Sequence, residues 1–270
     1  MMAGGPVGVA LVGCGTISDE YLRNLTSFGD LEVLFCADID LSRAKRQADK
    51  YGVPAAGDTG QALSHPGVEI VVNLTIPAAH ASVSLAAIAA GKHVWTEKPL
   101  ALDVASGRSL LDAASAARVL VGCAPDTVLG AGLQTARRLI LDGAIGEPLT
   151  ALALLQMPGP ERWHHDPAFL YARGAGPLFD MGPYYLSALA TVFGPASRVA
   201  AEGRRAQETR VIATGPRAGT SFPVEVSSYV SALISYAGGA AATVVLSFDS
   251  ALRRQGFTRI GGSAVEVAPH

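Results

Sequence analysis

Across the first 123 residues, short apolar runs alternate with longer stretches in which apolar side chains recur every third or fourth position. The runs Val7–Val12, Leu31–Ala37, 70–74, 93–96 and 119–123 are too short and too continuously apolar for amphipathic helices. They read as buried strands. The stretches between them, 17–28, Leu41–Tyr51, 78–90 and Val104–Ala117, read as helices, and in the first of these Ile17, Tyr21, Leu22 and Leu25 share one face. Gly52 and Gly91 stand where helices commonly end in a left-handed residue. Strands alternating with helices predict a parallel α/β sheet wrapped by helices.

The pattern changes after Pro125. Residues 127–142 read as one more amphipathic helix, stopped by Gly143. Beyond it strand-like runs dominate, at 149–155, 224–236 and 240–248, the last two joined by a Gly238-Gly239 turn. Between Val226 and Tyr236 apolar residues largely alternate with serines, which suits an antiparallel sheet covered on one face. Residues 157–183 are rich in Gly, Pro and His without periodicity and read as a loop feeding a short helix from Pro183. The expected organisation is a parallel α/β domain over 1–123 and an α+β domain over 124–270.

Composition narrows the function classes. With 49% hydrophobic and 16% charged residues the chain is an ordered globular protein. A net charge of −2 gives no electrostatic reason to expect nucleic acid or an anionic membrane surface. No stretch reaches the roughly 18 apolar residues of a membrane span, and the start Met-Met-Ala-Gly-Gly-Pro lacks a basic leader, so cytoplasm is the expected address. Cys14, Cys36 and Cys123 are too few and too scattered for a disulfide framework or a zinc site, and no metal is expected.

Two clusters carry chemistry. Gly13-Cys14-Gly15-Thr16-Ile17-Ser18 follows the first strand and opens the first helix, a dinucleotide fingerprint with Ser18 in place of the third glycine. Gly13 permits the tight turn and Gly15 the approach of a pyrophosphate, while Thr16 and Ile17 stand where the helix N-terminus offers N–H donors. Asp38 ends the second strand, where an acid hydrogen-bonds an adenine ribose; it equally fits a helix cap, although Asp40 is available for that. A carboxylate there favours NAD, and nearby Arg43 leaves NADP open. Thr75 and Pro77, with His80, end the next long strand, and either line the nicotinamide side or start a helix. Glu97-Lys98-Pro99 places an ammonium at a strand end, where open sheets bind ligands.

The second cluster is Gly174-Ala175-Gly176-Pro177-Leu178-Phe179-Asp180-Met181-Gly182-Pro183-Tyr184-Tyr185. In one continuous helix Asp180 and Tyr184 share a face. A tyrosine hydroxyl near pKa 10 becomes a useful base only when a cation such as Lys98 favours its phenolate. The other reading of the segment is an aromatic core at a helix start, with Asp180 as a cap.

Taken in order along the chain, these blocks resemble the Gfo/Idh/MocA family of NAD(P)-dependent sugar and polyol oxidoreductases. The resemblance implies a Rossmann domain followed by an open, mainly antiparallel sheet with helices on one face. That sheet would bind substrate and form the contact of a homo-oligomer. The resemblance assigns Gly13, Gly15, Asp38, Thr75, Pro77 and Glu97 to the cofactor and makes Lys98 the catalytic lysine. Asp180 becomes the acid that contacts substrate and base, and Tyr184 stands where many members carry histidine. Ser187 replaces a later family aspartate, which points away from inositol dehydrogenases. Trp163-His164-His165-Asp166 falls in the loop expected to border substrate, with His164 as a sugar contact or a surface histidine. Relatives continue past the point matching residues 261–267, so the second domain is expected to be incomplete. The implied activity is hydride exchange between a nicotinamide and a sugar, cyclitol or polyol hydroxyl. The alternatives are a non-catalytic NAD or sugar sensor, or an inactive fragment.

Overall fold

A computed structural model describes residues 5–251, 255–263 and 266–267. Two compact units divide at Ala124 and Pro125. The first runs β1 (Val7–Val12), α1 (Ser18–Leu25), β2 (Leu31–Ala37), α2 (Leu41–Tyr51), β3 (Ala55–Gly57), α3 (Thr59–Ser64), β4 (Ile70–Asn73), α4 (Pro77–Ala89), β5 (His93–Glu97), α5 (Val104–Ala117) and β6 (Val121–Ala124). Its strands form one parallel sheet in the order β3-β2-β1-β4-β5-β6.

Burial explains the continuous apolar runs. Ala10 and Val12 pack with Ala87, Ile88, Leu110 and Ala114 on one face, while Val9 and Leu11 pack with Leu22, Ala44 and Ala48 on the other. A strand covered on both sides cannot alternate, which is the parallel-sheet signature. The first helix is shorter than its periodicity predicts: it ends at Leu25, and Ile17 lies outside it, exposed.

The second unit runs α6 (Ala131–Leu141), β7 (Pro148–Gln156), α7 (Gly176–Asp180), α8 (Gly182–Phe193), β8 (Ala196–Arg204), β9 (Thr209–Val211), β10 (Ser221–Pro223), β11 (Tyr229–Tyr236), β12 (Ala241–Ser247), β13 (Gln255–Gly262) and β14 (Glu266–Val267). Six strands make a mixed sheet, β14-β13-β7-β12-β11-β8, in which only β7 and β12 pair in parallel among the described strands. Ile140 of α6 and Leu189 of α8 pack with Ala153, Leu155, Ile234, Val244 and Leu246 on one face of this sheet. Strands β9 and β10 form a separate pair.

Three local readings change. The helix read over 127–142 breaks at Gly130, with a 3-10 turn at Asp126–Leu129 before α6. The strand read from 224 starts at Tyr229. Within 157–183 the chain holds two 3-10 turns, Pro160–Arg162 and Ala168–Tyr171, and the short helix α7. No helix among the described residues is long and apolar enough to cross a membrane.

Candidate active site

Strand order in the first sheet reverses between β1 and β4, and open α/β sheets bind ligands in the crevice beyond the strand ends at that point. Val12 is in register with Asn73, and Asn73 with Thr96. The glycine turn, the 75–77 turn and Glu97-Lys98 therefore leave the sheet side by side.

Backbone geometry dictates the glycine turn. Gly13 has a φ of 100°, and a Cβ there would lie 2.6 Å from the Leu74 carbonyl carbon. Only glycine fits. Gly13 N–H donates to the Ala37 carbonyl at 2.8 Å. Gly15, Thr16 and Ile17 are exposed, and a Cβ on Gly15 would meet no protein atom within 4 Å. Ser18 is fully buried; its hydroxyl donates to the Gly15 carbonyl at 2.6 Å and accepts from Gln47 Nε2 at 3.1 Å. A glycine at this position could do neither, so the serine closes the turn and ties α1 to α2. A clear approach over exposed backbone at the start of α1 fits a dinucleotide diphosphate.

Asp38 is not the cap of α2. Asp40 takes that role, accepting from Ser42 N at 3.0 Å and Arg43 N at 3.4 Å. Asp38 is buried, with Oδ2 accepting from Cys14 N at 2.7 Å and Oδ1 from Asp40 N at 2.8 Å. A carboxylate has about four acceptor sites, so two bonds leave capacity for ribose hydroxyls.

The 75–77 turn rests on buried Asn73. Its Oδ1 accepts from Thr75 N at 3.2 Å and from Thr75 Oγ1 at 2.7 Å, and its Nδ2 donates to the His80 carbonyl at 3.0 Å and to Ser84 Oγ at 3.1 Å. Thr75 does not cap α4, whose first turn is opened instead by Pro77. The sequence counts His80 among the cofactor contacts, as a helix-start residue facing the cleft. The structure corrects this: the ring is buried, with Nδ1 2.7 Å from the Pro99 carbonyl and Nε2 2.8 Å from the Thr75 carbonyl. Both ring nitrogens are thus spent on backbone.

Glu97 ends β5, where its Oε1 accepts from Tyr21 Oη at 2.8 Å and its Oε2 from Lys98 N at 3.0 Å. Trp95 Nε1 donates to Tyr21 Oη at 3.4 Å. Periodicity marks Tyr21 only as core, yet its hydroxyl orients the acid beside Lys98. Lys98 is half-buried, and its bond to Pro99 is cis. Burial, with the Glu97 charge adding to it, pushes the nearby Cys123 thiol up to about 11.

In the second unit Asp180 ends α7 and Tyr184 lies in the first turn of α8, both half-buried. The single continuous helix that would put the two side chains on one face does not form, and α8 starts close to the Pro183 read as a helix start. Met181 separates the two helices, and Pro183 brings no N–H. Gly176 starts α7 at a φ of 75°, where a Cβ would lie 2.9 Å from the Ser227 carbonyl oxygen. His164 stacks on His165 at 4.9 Å and meets Trp163 and Phe169 edge-on. Burial, then the neighbouring His165, holds its imidazole below the usual range.

One cluster was not read from the sequence at all. Buried Arg210 bonds Glu161 Oε1 at 2.7 Å and Asp249 Oδ1, Tyr171 Oη donates to Glu161 Oε2, and Ser228 Oγ donates to Asp249 Oδ2 at 2.8 Å. Burial, reinforced by Glu161, drives the Tyr171 phenol well above its ordinary range. Glu161 and Tyr171 bracket the loop that carries His164, so this network holds the loop at both ends. Among the described residues no three His, Cys, Asp or Glu side chains converge as metal ligands would.

Residues 7–124 match the model of Gfo/Idh/MocA, an oxidoreductase family with an NAD-binding Rossmann fold, and residues 133–267 match the C-terminal domain of that family. Trans-1,2-dihydrobenzene-1,2-diol dehydrogenase of Mus musculus is 28% identical over 252 residues, covering 90% of this chain and 68% of that protein. D-glucoside 3-dehydrogenase of Escherichia coli K12 is 29% identical over 198 residues, 72% of this chain and 56% of that protein. Among solved structures, an NAD binding oxidoreductase from Klebsiella pneumoniae superposes with a TM-score of 0.84 at 26% identity, covering 97% of this chain and 72% of that one. The chain thus spans between about half and two thirds of the length of these curated relatives.

Proposed function

The chain belongs to the Gfo/Idh/MocA oxidoreductase family, and from that premise we propose that it exchanges hydride between NAD(P) and a hydroxyl-bearing carbon of a sugar, cyclitol or related polyol. The observation that carries this reading is the convergence at the carboxyl ends of adjoining strands of the glycine turn, buried Asp38 and half-buried Lys98. The named activities of the relatives, on a cyclic dihydrodiol and on a glucoside, support the substrate class.

Gly13, Gly15, Thr16 and Ile17 would hold the diphosphate, Asp38 the adenine ribose, and Thr75, Pro77 and Glu97 the nicotinamide side. The nicotinamide supplies the hydride acceptor or donor when bound. NAD is favoured because the Asp38 carboxylate would repel a 2′-phosphate, while Arg43 Nε lies 3.3 Å from Asp40 Oδ2 and is already engaged. Tyr184, its phenolate favoured by the Lys98 ammonium, takes the proton from the substrate hydroxyl and returns it in the reverse direction. Asp180 orients substrate and tyrosine, and His164 contacts the sugar. The outward face of the second sheet, where Leu152 and Leu233 are exposed, would join a second copy of the chain.

The test follows NAD(P)H absorbance against sugars, inositols and keto-sugars for the wild type and Lys98→Met. Turnover on at least one of them, falling about 10²–10⁴-fold in the variant at saturating cofactor, is expected when the cation that keeps the Tyr184 base in its phenolate form is lost. Unchanged turnover in Lys98→Met would sink the mechanism.

A further inference from the structure

We infer that His80 is a positioning residue that sets the spacing between the nicotinamide-side turn and the lysine turn, each through its own ring nitrogen. The inference rests on the cofactor and lysine roles just proposed, which it deepens.

Strands β4 and β5 are paired only as far as Asn73 and Thr96. Beyond that rung the two chains no longer pair with each other, although β5 continues on β6 through Glu97 and Ala124, and a direct tie between the two turns comes from side chains. The His80 ring supplies it, lying between the two turns at 1% exposure. Nε2 is 2.8 Å from the carbonyl of Thr75, and Nδ1 is 2.7 Å from the carbonyl of Pro99, the residue after Lys98. A carbonyl oxygen only accepts, so both bonds form together only in the doubly protonated ring, and no nitrogen is then left for a ligand. The backbone of His80 is itself fixed, because its carbonyl accepts from Asn73 Nδ2 at 3.0 Å. Asn73 also holds Thr75 through N and Oγ1. One buried constellation therefore controls both turns, while the ring alone reaches the lysine side.

The two bonds separate by substitution. Asparagine places an amide nitrogen near Nδ1 and keeps the Pro99 bond; glutamine places one near Nε2 and keeps the Thr75 bond. Both variants are first checked for folding by circular dichroism. Amide hydrogen exchange then reads the turns without reference to activity. His80→Gln should raise exchange over residues 100–103 about tenfold and leave 73–77 unchanged; His80→Asn should do the reverse.

Kinetics should divide likewise. His80→Gln should lower kcat up to about 100-fold, the scale of a 1 Å misplacement, with Kd for NAD within about twofold. His80→Asn should raise Kd for NAD about tenfold, one bond's worth, and leave kcat at saturation within about threefold. The same exchange profile in both variants, or a divided exchange profile without divided kinetics, overturns the inference. If exchange divides as expected and the wild type turns over no polyol, the tie between the turns stands and the catalytic reading of Lys98 falls.

Discussion

An alanine at Gly13 would have to adopt a φ near 100° with its methyl 2.6 Å from the Leu74 carbonyl carbon. Strain and overpacking together should cost about 3 kcal/mol, read as a lowered thermal midpoint with loss of NAD affinity. Asp38→Asn should keep an acceptor for Cys14 N while removing the charge. At 4 Å a charge pair is worth from about 1 kcal/mol in bulk water to about 4 kcal/mol near a protein surface, so the NADP-to-NAD preference should rise at least about fivefold in a coenzyme titration. The Cys123 thiol, raised to about 11, stays protonated at pH 8. Labelling by iodoacetamide should therefore be far slower than for a free cysteine and should accelerate only in denaturant. Spacing and strand-end position were enough to place Gly13, Gly15, Asp38 and Lys98 at the carboxyl ends of adjoining strands, because a strand–turn–helix unit fixes where such positions fall. The inward turn of His80 and the Tyr21–Glu97 bond were not legible. Both depend on contacts between segments far apart in sequence, which no local period encodes.

At the scale of elements the same distinction holds. Continuous apolar runs revealed β1, β2, β4 and β5 because each is buried on both faces. Strand β3 has three residues and β8 is exposed along its whole length, so neither carries a hydrophobic pattern. The i, i+4 face for Asp180 and Tyr184 required one unbroken helix; Met181 interrupts it, and Pro183 stands in the first turn of α8, near where the sequence places a helix start. The loop before α7 depends on Arg210, whose side chain is 7% exposed and paired with Glu161 and Asp249. Arg210→Met would leave two buried carboxylates without their cation and should cost about 3–5 kcal/mol. Equilibrium denaturation should show this in the midpoint. A loss below about 1 kcal/mol would mean that the network contributes little to holding the loop.

For the whole molecule, the second sheet is packed by α6 and α8 on one face only. On the other, the registers align Leu152 with Thr243 and Thr243 with Leu233, and Leu233 is 62% exposed. A double variant, Leu152→Glu with Leu233→Arg, should reduce the mass measured by sedimentation if copies meet here. An unchanged mass would remove this face from the proposed contact. NAD at about 100 times its Kd should stabilise the fold by about 2.7 kcal/mol, visible as a rise in the melting midpoint.

The parallel pairing of β7 with β12, and the neighbouring pairing of β7 with β13, have a temporal consequence. All strands of the first sheet have been synthesised once Ala124 is made. Strand β7, by contrast, leaves the ribosome with neither of its sheet neighbours yet made. At roughly 5–20 residues per second, β13 follows it about 5–20 s later. During that interval the first unit is free to fold while β7 remains an unpaired apolar segment, so nascent chains halted between β7 and β12 should be the ones that chaperones hold and proteases cut.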